Sequence, residues 1–229
     1  MTASASGSAR PEMPLVRIGS KLVYYAHVPK CAGSAVEHYL RQNFGPIAFC
    51  DTKFLSHPPA TKWTKSSPQH VDAMSMGRLF PPKFIDARFA TVRHPVKRLV
   101  SVYRFQRDVE KTIPEATSFA AWIDTLAEAR QADPYIYDNH VRPMTEIVPR
   151  GARTFKLEQG LGPLVDWLQK LAGEDYQLPG EIEPRNVLSD RLEKDGLTSK
   201  AVRPAKAVRE KIYKLYRQDF DRFGYKIDL

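Results

Sequence analysis

Cysteine is scarce in this sequence, and long apolar runs are missing from it. The 229 residues include only two cysteines, Cys31 and Cys50, which are too few for a disulfide framework and suit a reducing compartment. No apolar run approaches the ~18 residues of a membrane-spanning helix, and no signal peptide precedes the first apolar segment. We therefore expect a cytoplasmic protein without a transmembrane segment.

Three functional patterns are missing as well. No group of His, Cys and Asp residues has the spacing of a metal site, so we predict that the protein requires no metal. Aromatic and basic residues do not alternate along any segment as they do on base-stacking platforms, which argues against nucleic acid as a partner. The GxxxxGK[ST] pattern of a Walker A loop does not occur either.

Positive charge, by contrast, is abundant. The 35 Lys and Arg residues outnumber the 26 Asp and Glu residues, and the net charge is +9. This excess implies an anionic partner without choosing between a nucleotide, an acidic glycan and a membrane surface. The length favours one domain with a substantial core. We predict a disordered tail over residues 1–14 and a single domain over residues 15–229.

The clearest local signal lies near the start of the chain. The segment Lys21–Val28 (KLVYYAHV) predicts a buried strand that Pro29 should end, because proline cannot donate a ladder hydrogen bond. Lys30 and the small residues Cys31–Ser34 follow, and then a helix begins. Backbone N–H groups, the helix dipole and the lysine would together favour an anion there. On these residues alone, an ordinary turn with a surface lysine remains open.

A second segment repeats this layout. Phe84–Val92 predicts another strand, which is followed by Arg93 and by a helix from Val96 with an apolar face. Ser101 lies eight residues after Arg93. An arginine at the end of a strand can form a structural ion pair or bind a phosphate through two hydrogen bonds, and both interpretations remain open.

The rest of the chain predicts alternating elements. Further helices are expected over residues 67–79, 118–132, 161–171 and 205–220, strands over residues 45–52 and 152–157, and irregular segments over residues 57–67, 135–148 and 176–199. In the first of these helices, Val71, Met74 and Leu79 are the expected core positions.

The two strand–turn–helix units together resemble the sulfotransferase family, above all its carbohydrate-type members such as the heparan and chondroitin sulfotransferases and their bacterial relatives. His27–Ser34 (HVPKCAGS) looks like the family's 5′-phosphosulfate loop, although Cys31 and Ala32 stand where Thr and Gly are common. Phe89–Ser101 (FATVRHPVKRLVS) is similar to its 3′-phosphate motif. Weaker similarities occur at residues 139–146, 155–158 and 216–225, so the resemblance spans residues 21–225.

This resemblance implies an α/β fold: a three-layer α/β/α sandwich with a mainly parallel sheet, related to P-loop nucleotide-binding proteins. It also implies the donor 3′-phosphoadenosine 5′-phosphosulfate (PAPS), the product adenosine 3′,5′-bisphosphate (PAP) and sulfuryl transfer to a hydroxyl or an amine. The expected acceptor is a carbohydrate or a small hydroxyl compound. A lysine can supply the positive charge that such a transfer needs without a metal.

The resemblance also assigns site residues. Lys30 and His70 are the predicted catalytic residues, and histidine suits a general base because its ordinary pKa of about 6.5 leaves it able to accept a proton near neutrality. The donor should contact Lys30, Cys31, Ala32, Gly33, Ser34, Arg93, Ser101, Asn186 and Ser189. His140, Arg142 and Glu158 are expected near the acceptor, with His140 and then Glu158 as alternative bases. His27 and His94 are expected to be structural.

Two other classes remain open. A small-molecule kinase could share the fold, but it would be expected to carry a Walker A loop, a carboxylate for magnesium and activity with ATP. A non-catalytic binder of acidic glycans would explain the charge, but it would not bind PAP tightly. No motif indicates a particular acceptor or an oligomeric state.

Overall fold

The computed structural model describes residues 14–51, 53–185 and 201–227, which contain four β-strands and eight α-helices. The strands are β1 (Leu15–Ile18), β2 (Lys21–Tyr25), β3 (Ala87–Val92) and β4 (Arg153–Lys156). The helices are α1 (Gly33–Phe44), α2 (Ala73–Leu79), α3 (Pro95–Arg104), α4 (Phe119–Ala132), α5 (Met144–Ile147), α6 (Gly162–Ala172), α7 (Lys206–Leu215) and α8 (Arg217–Phe223). A π-helical turn, Phe105–Val109, extends α3. None of the described helices is long and apolar enough to cross a membrane.

The four strands form one sheet in the order β1-β2-β3-β4. β1 and β2 are antiparallel and joined by a tight turn at Gly19, whose φ of 59° is the left-handed conformation that glycine adopts without strain. β2, β3 and β4 are parallel, so helical crossovers must connect them. The carboxyl ends of β2 and β3 therefore lie side by side and bring the turns after both strands to one edge.

Successive side chains of the strands supply a core on each face of the sheet. Val23 and Tyr25 pack with Phe89 against α1 and α6 on one face, whereas Tyr24 and Ala90 pack against α5 and α8 on the other. A third cluster joins α3, α4, α7 and α8 beside the sheet. The predicted three-layer α/β architecture with a mainly parallel sheet is therefore confirmed.

Some local predictions are wrong. In the strand predicted over residues 45–52, the described residues 45–51 do not form a strand, and a single bridge between Leu15 and Ala48 joins this segment to β1. β1 itself was not predicted, because a four-residue edge strand carries little periodic signal. The helix predicted over residues 205–220 is interrupted at Tyr216. The backbone of this residue is not helical, with a ψ of 24°, so α7 ends before it and α8 begins after it.

The helix predicted over residues 67–79 is also shorter than expected. Residues Pro68–His70 form a 3₁₀ turn, and Asp72 then caps α2 by accepting hydrogen bonds from the N–H groups two and three residues later. Val71 is buried as predicted. Met74 and Leu79 are not core residues, since 63% and 52% of their surfaces are exposed, and Met76 is the buried residue of α2.

Two predicted segments extend beyond the described residues. All of the predicted tail except Pro14 lies outside them, as does the second part of the predicted loop over residues 176–199. The first part of this loop, residues 176–185, is irregular as predicted.

Candidate active site

A cavity of about 680 Å³ opens at the edge of the sheet where β2 and β3 end. Its walls come from the turn after β2, the start of α1, the turn after β3, and α3. The basic side chains that line it are Lys30, Arg93, Lys97, Arg104 and Arg185. Glu37 is the one carboxylate among its described lining residues. This excess of positive charge suits a polyanionic ligand.

The turn after β2 has the backbone of an anion cradle. Lys30 and Ala32 both have a φ of 65°, in the left-handed region that non-glycine residues adopt at a cost of about 1–3 kcal/mol. Ala32 is the N-cap of α1, and the first N–H groups of a helix have no acceptor within the helix. These groups and the positive end of the helix dipole lie beside the Lys30 side chain, as the sequence predicts.

Gly33 allows a histidine to pack directly on the cradle. A Cβ atom at Gly33 would lie 1.6 Å from His27 Nε2, so no side chain fits at this position. His27 Nδ1 donates a 2.7 Å hydrogen bond to Glu37 Oε1. Burial by itself raises the pKa of Glu37, but His27 outweighs this effect and holds the pKa below its usual value. His27 thus links the segment after β2 to α1 through this hydrogen bond.

Cys31 lies below the cradle and does not line the cavity. Its side chain is fully buried, and burial raises the pKa of the thiol to about 12, so the thiol stays protonated near neutrality. Thr91 of β3 donates a 2.6 Å hydrogen bond to the Cys31 carbonyl, and the Tyr25 hydroxyl lies 2.8 Å from Thr91 Oγ1. Cys31 therefore has the environment of a packing residue in a turn that β3 holds in place.

Arg98 of α3 links the cradle to the segment that carries His140, and sequence reasoning missed it. The side chain is fully buried. Its Nε donates to the Pro29 carbonyl at 3.2 Å, and its Nη2 donates to the carbonyls of His140 and Arg142 at 2.8 Å. A buried charge needs such partners to offset its desolvation. The one indication of its burial in the sequence is that it stands among the apolar residues of α3.

The second predicted unit lies against the same cavity. Arg93 follows β3, Ser101 lies on α3, and both are half-buried and line the cavity. His94 caps α3 by accepting a hydrogen bond from the Val96 N–H, and its Nε2 donates to the Lys226 carbonyl. The structure therefore brings Arg93 and Ser101 to the cradle and gives His94 a structural environment.

His70 also lines the cavity, and a carboxylate orients it. Its Nδ1 lies 2.7 Å from Asp138 Oδ2, so the proton belongs on Nδ1 and the lone pair on Nε2. Ser67 donates to Asp138 through both its N–H and its hydroxyl. Burial alone raises the pKa of Asp138, but the hydrogen bonds from His70 and Ser67 outweigh it and hold the pKa at about 2. The carboxylate is therefore ionised at neutral pH.

The turn that presents Asp138 is strained. Tyr137, Asp138 and Asn139 have φ values of 53°, 54° and 63°, which makes three consecutive left-handed residues without a glycine. The cost of this conformation is roughly 1–2 kcal/mol for an ordinary residue such as Tyr137, and it is smaller for Asp and Asn. The bonds to Asp138 and the 2.8 Å hydrogen bond from Asn139 Nδ2 to the His70 carbonyl hold the turn in place. Strain of this kind is concentrated at functional sites.

His140 stands next to His70 but has a different hydrogen-bonding state. The two rings meet edge to face with centroids 5.1 Å apart. Gln106 Nε2 lies 3.1 Å from His140 Nδ1, and the Thr112 hydroxyl donates to Gln106 Oε1, which fixes the amide as a donor to His140. Burial holds the pKa of His140 well below its usual value. His140 is therefore neutral, with its proton on Nε2.

The remaining predicted residues lie elsewhere. Arg142 does not line the cavity and instead pairs with Asp72, with Nη1 3.3 Å from Oδ2. Glu158 does not line it either, since its carboxylate accepts the His94 N–H and the Tyr225 hydroxyl. Asn186 and Ser189 lie outside the described residues. Arg185 lines the cavity, so the late loop reaches its wall.

Two groupings at the cavity or directly behind its wall had no signal in the sequence. The potential ligand atoms of His70, Asp138 and His140 lie within 4.8 Å of one another, a spacing that could hold a metal ion. Hydrogen bonds already engage the His70 and His140 Nδ1 atoms and the Asp138 carboxylate. Lys30 Nζ lies 4.0 Å from the centroid of the Phe105 ring, which is cation–π distance.

The fold and the cavity together define an α/β protein with a basic cavity at the carboxyl edge of the parallel strands. The model of the sulfotransferase family matches residues 15–226. The chain therefore belongs to the sulfotransferase family, whose members are PAPS-dependent transferases, and the resemblance seen in the sequence is confirmed. No curated protein and no solved structure matches the chain.

Proposed function

We propose that this protein transfers the sulfuryl group of PAPS to a carbohydrate hydroxyl, with Lys30 as the electrostatic catalyst and His70 as the general base. One observation carries the proposal. A single basic cavity contains the cradle of Lys30, the Arg93–Ser101 pair and a histidine that is held by a carboxylate. These are the groups that donor binding, charge stabilisation and removal of the acceptor proton require.

The cradle fits a phosphosulfate. PAPS supplies the sulfuryl group together with a phosphate leaving group, on which negative charge grows during transfer. Helix N–H groups and Lys30 would bind that phosphate, and the ammonium group would stabilise the charge at its bridging oxygen. Gly33 keeps the cradle open to the phosphate, because any side chain at this position would clash with the His27 ring.

Arg93 and Ser101 would hold the 3′-phosphate. A guanidinium group can donate two parallel hydrogen bonds to phosphate oxygens, and a serine hydroxyl can add a third. Both residues line the same cavity as Lys30. We propose further that Asn186 and Ser189 contact the nucleotide, since their neighbour Arg185 lines the cavity wall.

The hydrogen bonds favour His70 over His140 as the base. His70 presents an unprotonated Nε2 because Asp138 engages Nδ1, whereas Gln106 donates to His140 Nδ1 and leaves the proton on Nε2. A general base needs a lone pair directed at the acceptor. His140 is instead suited to donate a hydrogen bond.

The two alternative functions, a small-molecule kinase and a non-catalytic glycan binder, would require other features of the cavity. A kinase would need a carboxylate for magnesium, but His27 and Cys50 engage Glu37, the one carboxylate among the described lining residues. A glycan binder without activity would need no strained turn to orient His70. Both features favour sulfuryl transfer over these two alternatives.

A transfer assay with radiolabelled PAPS tests the proposal against glycans, phenols and lipids in parallel, each with and without EDTA. We expect label on a glycan hydroxyl and the same rate in EDTA. Label on phenols or lipids alone would reject the carbohydrate acceptor. Loss of transfer in EDTA would implicate a metal, and magnesium-dependent transfer from ATP would favour the kinase. Glycan binding without saturable PAP binding would indicate the non-catalytic binder.

Donor selectivity should depend on Arg93. Because the side chain is assigned to the 3′-phosphate, Arg93→Ala should weaken PAP binding by roughly 10–100-fold, the equivalent of about 1.5–3 kcal/mol for charge-assisted hydrogen bonds. Binding of adenosine 5′-monophosphate, which lacks this phosphate, should change little. Titration calorimetry with both nucleotides measures the difference. Arg17→Ala, an exposed arginine on β1, is the control, and equal losses for both nucleotides would contradict the assignment.

A further inference from the structure

Exposed apolar side chains are concentrated in one stretch of the chain. Among the described residues, the large apolar side chains with the greatest exposure are Leu55 (59%), Trp63 (51%), Met74 (63%), Leu79 (52%) and Phe84 (53%). All five fall within 30 residues. Single exposed apolar residues are normal on a protein surface, whereas a contiguous apolar patch marks an interaction site.

Aromatic contacts make part of this stretch continuous. The Phe49 ring lies 6.3 Å from the Trp63 ring and 6.2 Å from the Phe80 ring, and Phe80 lies 5.6 Å from Phe84. Lys62, the residue before Trp63, donates from Nζ to the Leu55 carbonyl at 3.4 Å, so Leu55 lies within reach of this lysine. We call the surface formed by Phe49, Leu55, Trp63, Phe80 and Phe84 the aromatic patch.

Basic side chains outnumber acidic ones in the stretch of the chain that forms the aromatic patch. Residues 49–84 contain five basic side chains, Lys53, Lys62, Lys65, Arg78 and Lys83, and two acidic ones, Asp51 and Asp72. Asp51 is engaged by His57 at 3.0 Å, and Asp72 is buried, caps α2 and pairs with Arg142. The charge presented to solvent is therefore positive.

We infer that the aromatic patch and its lysines bind the surface of an anionic membrane. Exposed Trp, Phe and Leu beside lysines are the combination that peripheral proteins insert at the headgroup level of acidic bilayers. The exposed apolar residues belong to separate segments, with Leu55 in a 3₁₀ turn and Phe84 after Pro81-Pro82. A second copy of this chain is disfavoured as the occupant, because it would bring the same positive charge against these lysines.

The surface lies next to the cavity but is distinct from it. Phe49 precedes Cys50, which lines the cavity, whereas no residue of the aromatic patch lines it. The inference concerns attachment and does not depend on the proposed transfer reaction.

Vesicle co-sedimentation tests the inference, with phosphatidylcholine vesicles that contain or lack phosphatidylglycerol. We expect binding to the anionic vesicles only, and its loss at high salt. Trp63 fluorescence should shift to the blue on binding, because Trp122 is buried and Trp167 is partly buried. Trp63→Ser with Phe84→Ser should weaken binding by roughly tenfold or more. Their melting temperature checks the fold.

Two double variants with the same change of net charge distinguish a local effect of the patch lysines from a general effect of the protein's charge. Lys62→Glu with Lys83→Glu should abolish binding, whereas Lys21→Glu with Lys170→Glu, which removes the same charge beside α6, should retain it. The inference is overturned by equal binding to neutral vesicles, by no binding to anionic ones, by equal effects of the two pairs, or by self-association that Trp63→Ser abolishes.

Discussion

Replacing Lys30 with alanine is expected to lower kcat by roughly 10²–10³, the ~2.7–4 kcal/mol that one electrostatic group contributes when it faces developing charge. The substitution isolates the ammonium group, because alanine keeps a Cβ and so keeps the same left-handed backbone cost at this position. Removal of the ammonium also removes its contact with the Phe105 ring. Single-turnover kinetics with saturating PAPS measures the transfer step itself.

The controls for Lys30 lie in the same cavity. Lys97→Ala removes another lining lysine and should lower kcat far less, because its exposed ammonium lies on α3 and outside the cradle. Lys30→Arg keeps the charge but changes its shape, and it should recover a part of the rate. A Lys30→Ala protein with near-normal kcat would reject the assignment, whereas equal losses for Lys30→Ala and Lys97→Ala would indicate a general field effect.

The parts of the site that the sequence predicted are those with local signals. The cradle and the Arg93 turn each follow a β-rich segment and precede a helix, and proline marks both boundaries. Since β2 and β3 are parallel neighbours, their turns meet at one edge of the sheet. The local sequence pattern and the sheet topology therefore both predict that Lys30, Arg93 and Ser101 lie at this edge of the sheet.

The parts that the sequence did not predict depend on contacts between distant residues. Asp138 lies 68 residues from His70, in a left-handed turn without the glycine that would have marked it. Arg98 stands among apolar residues of α3, but its burial and its three carbonyl partners are visible only in the folded structure. Met74 and Leu79 have helical spacing, but α2 is only seven residues long and buries Met76 instead.

The hydrogen bond between Asp138 and His70 allows a second test of His70 as the base. If Asp138 sets the tautomer of His70, Asp138→Asn should also lower kcat, although asparagine keeps the shape of the side chain. An amide can present its NH₂ group to Nδ1, which would move the proton to Nε2 and remove the lone pair from the cavity side. PAP affinity should stay nearly unchanged, and the KM for the acceptor should change less than kcat.

His70→Ala is expected to lower kcat by roughly 10²–10⁴, the usual contribution of a general base, and to leave PAP affinity nearly intact, because Lys30 is held in place separately by the turn after β2. His140→Ala is the matched comparison. It removes a neighbouring ring of the same kind, but one that is neutral and protonated at Nε2, so its effect on kcat should be smaller. Pre-steady-state transfer assays and PAP calorimetry on both variants separate catalysis from binding. If His70→Ala turns over normally, the base is another residue. If His140→Ala has the larger effect, then His140 takes the proton, and the Gln106 amide must turn its oxygen toward Nδ1 to free Nε2.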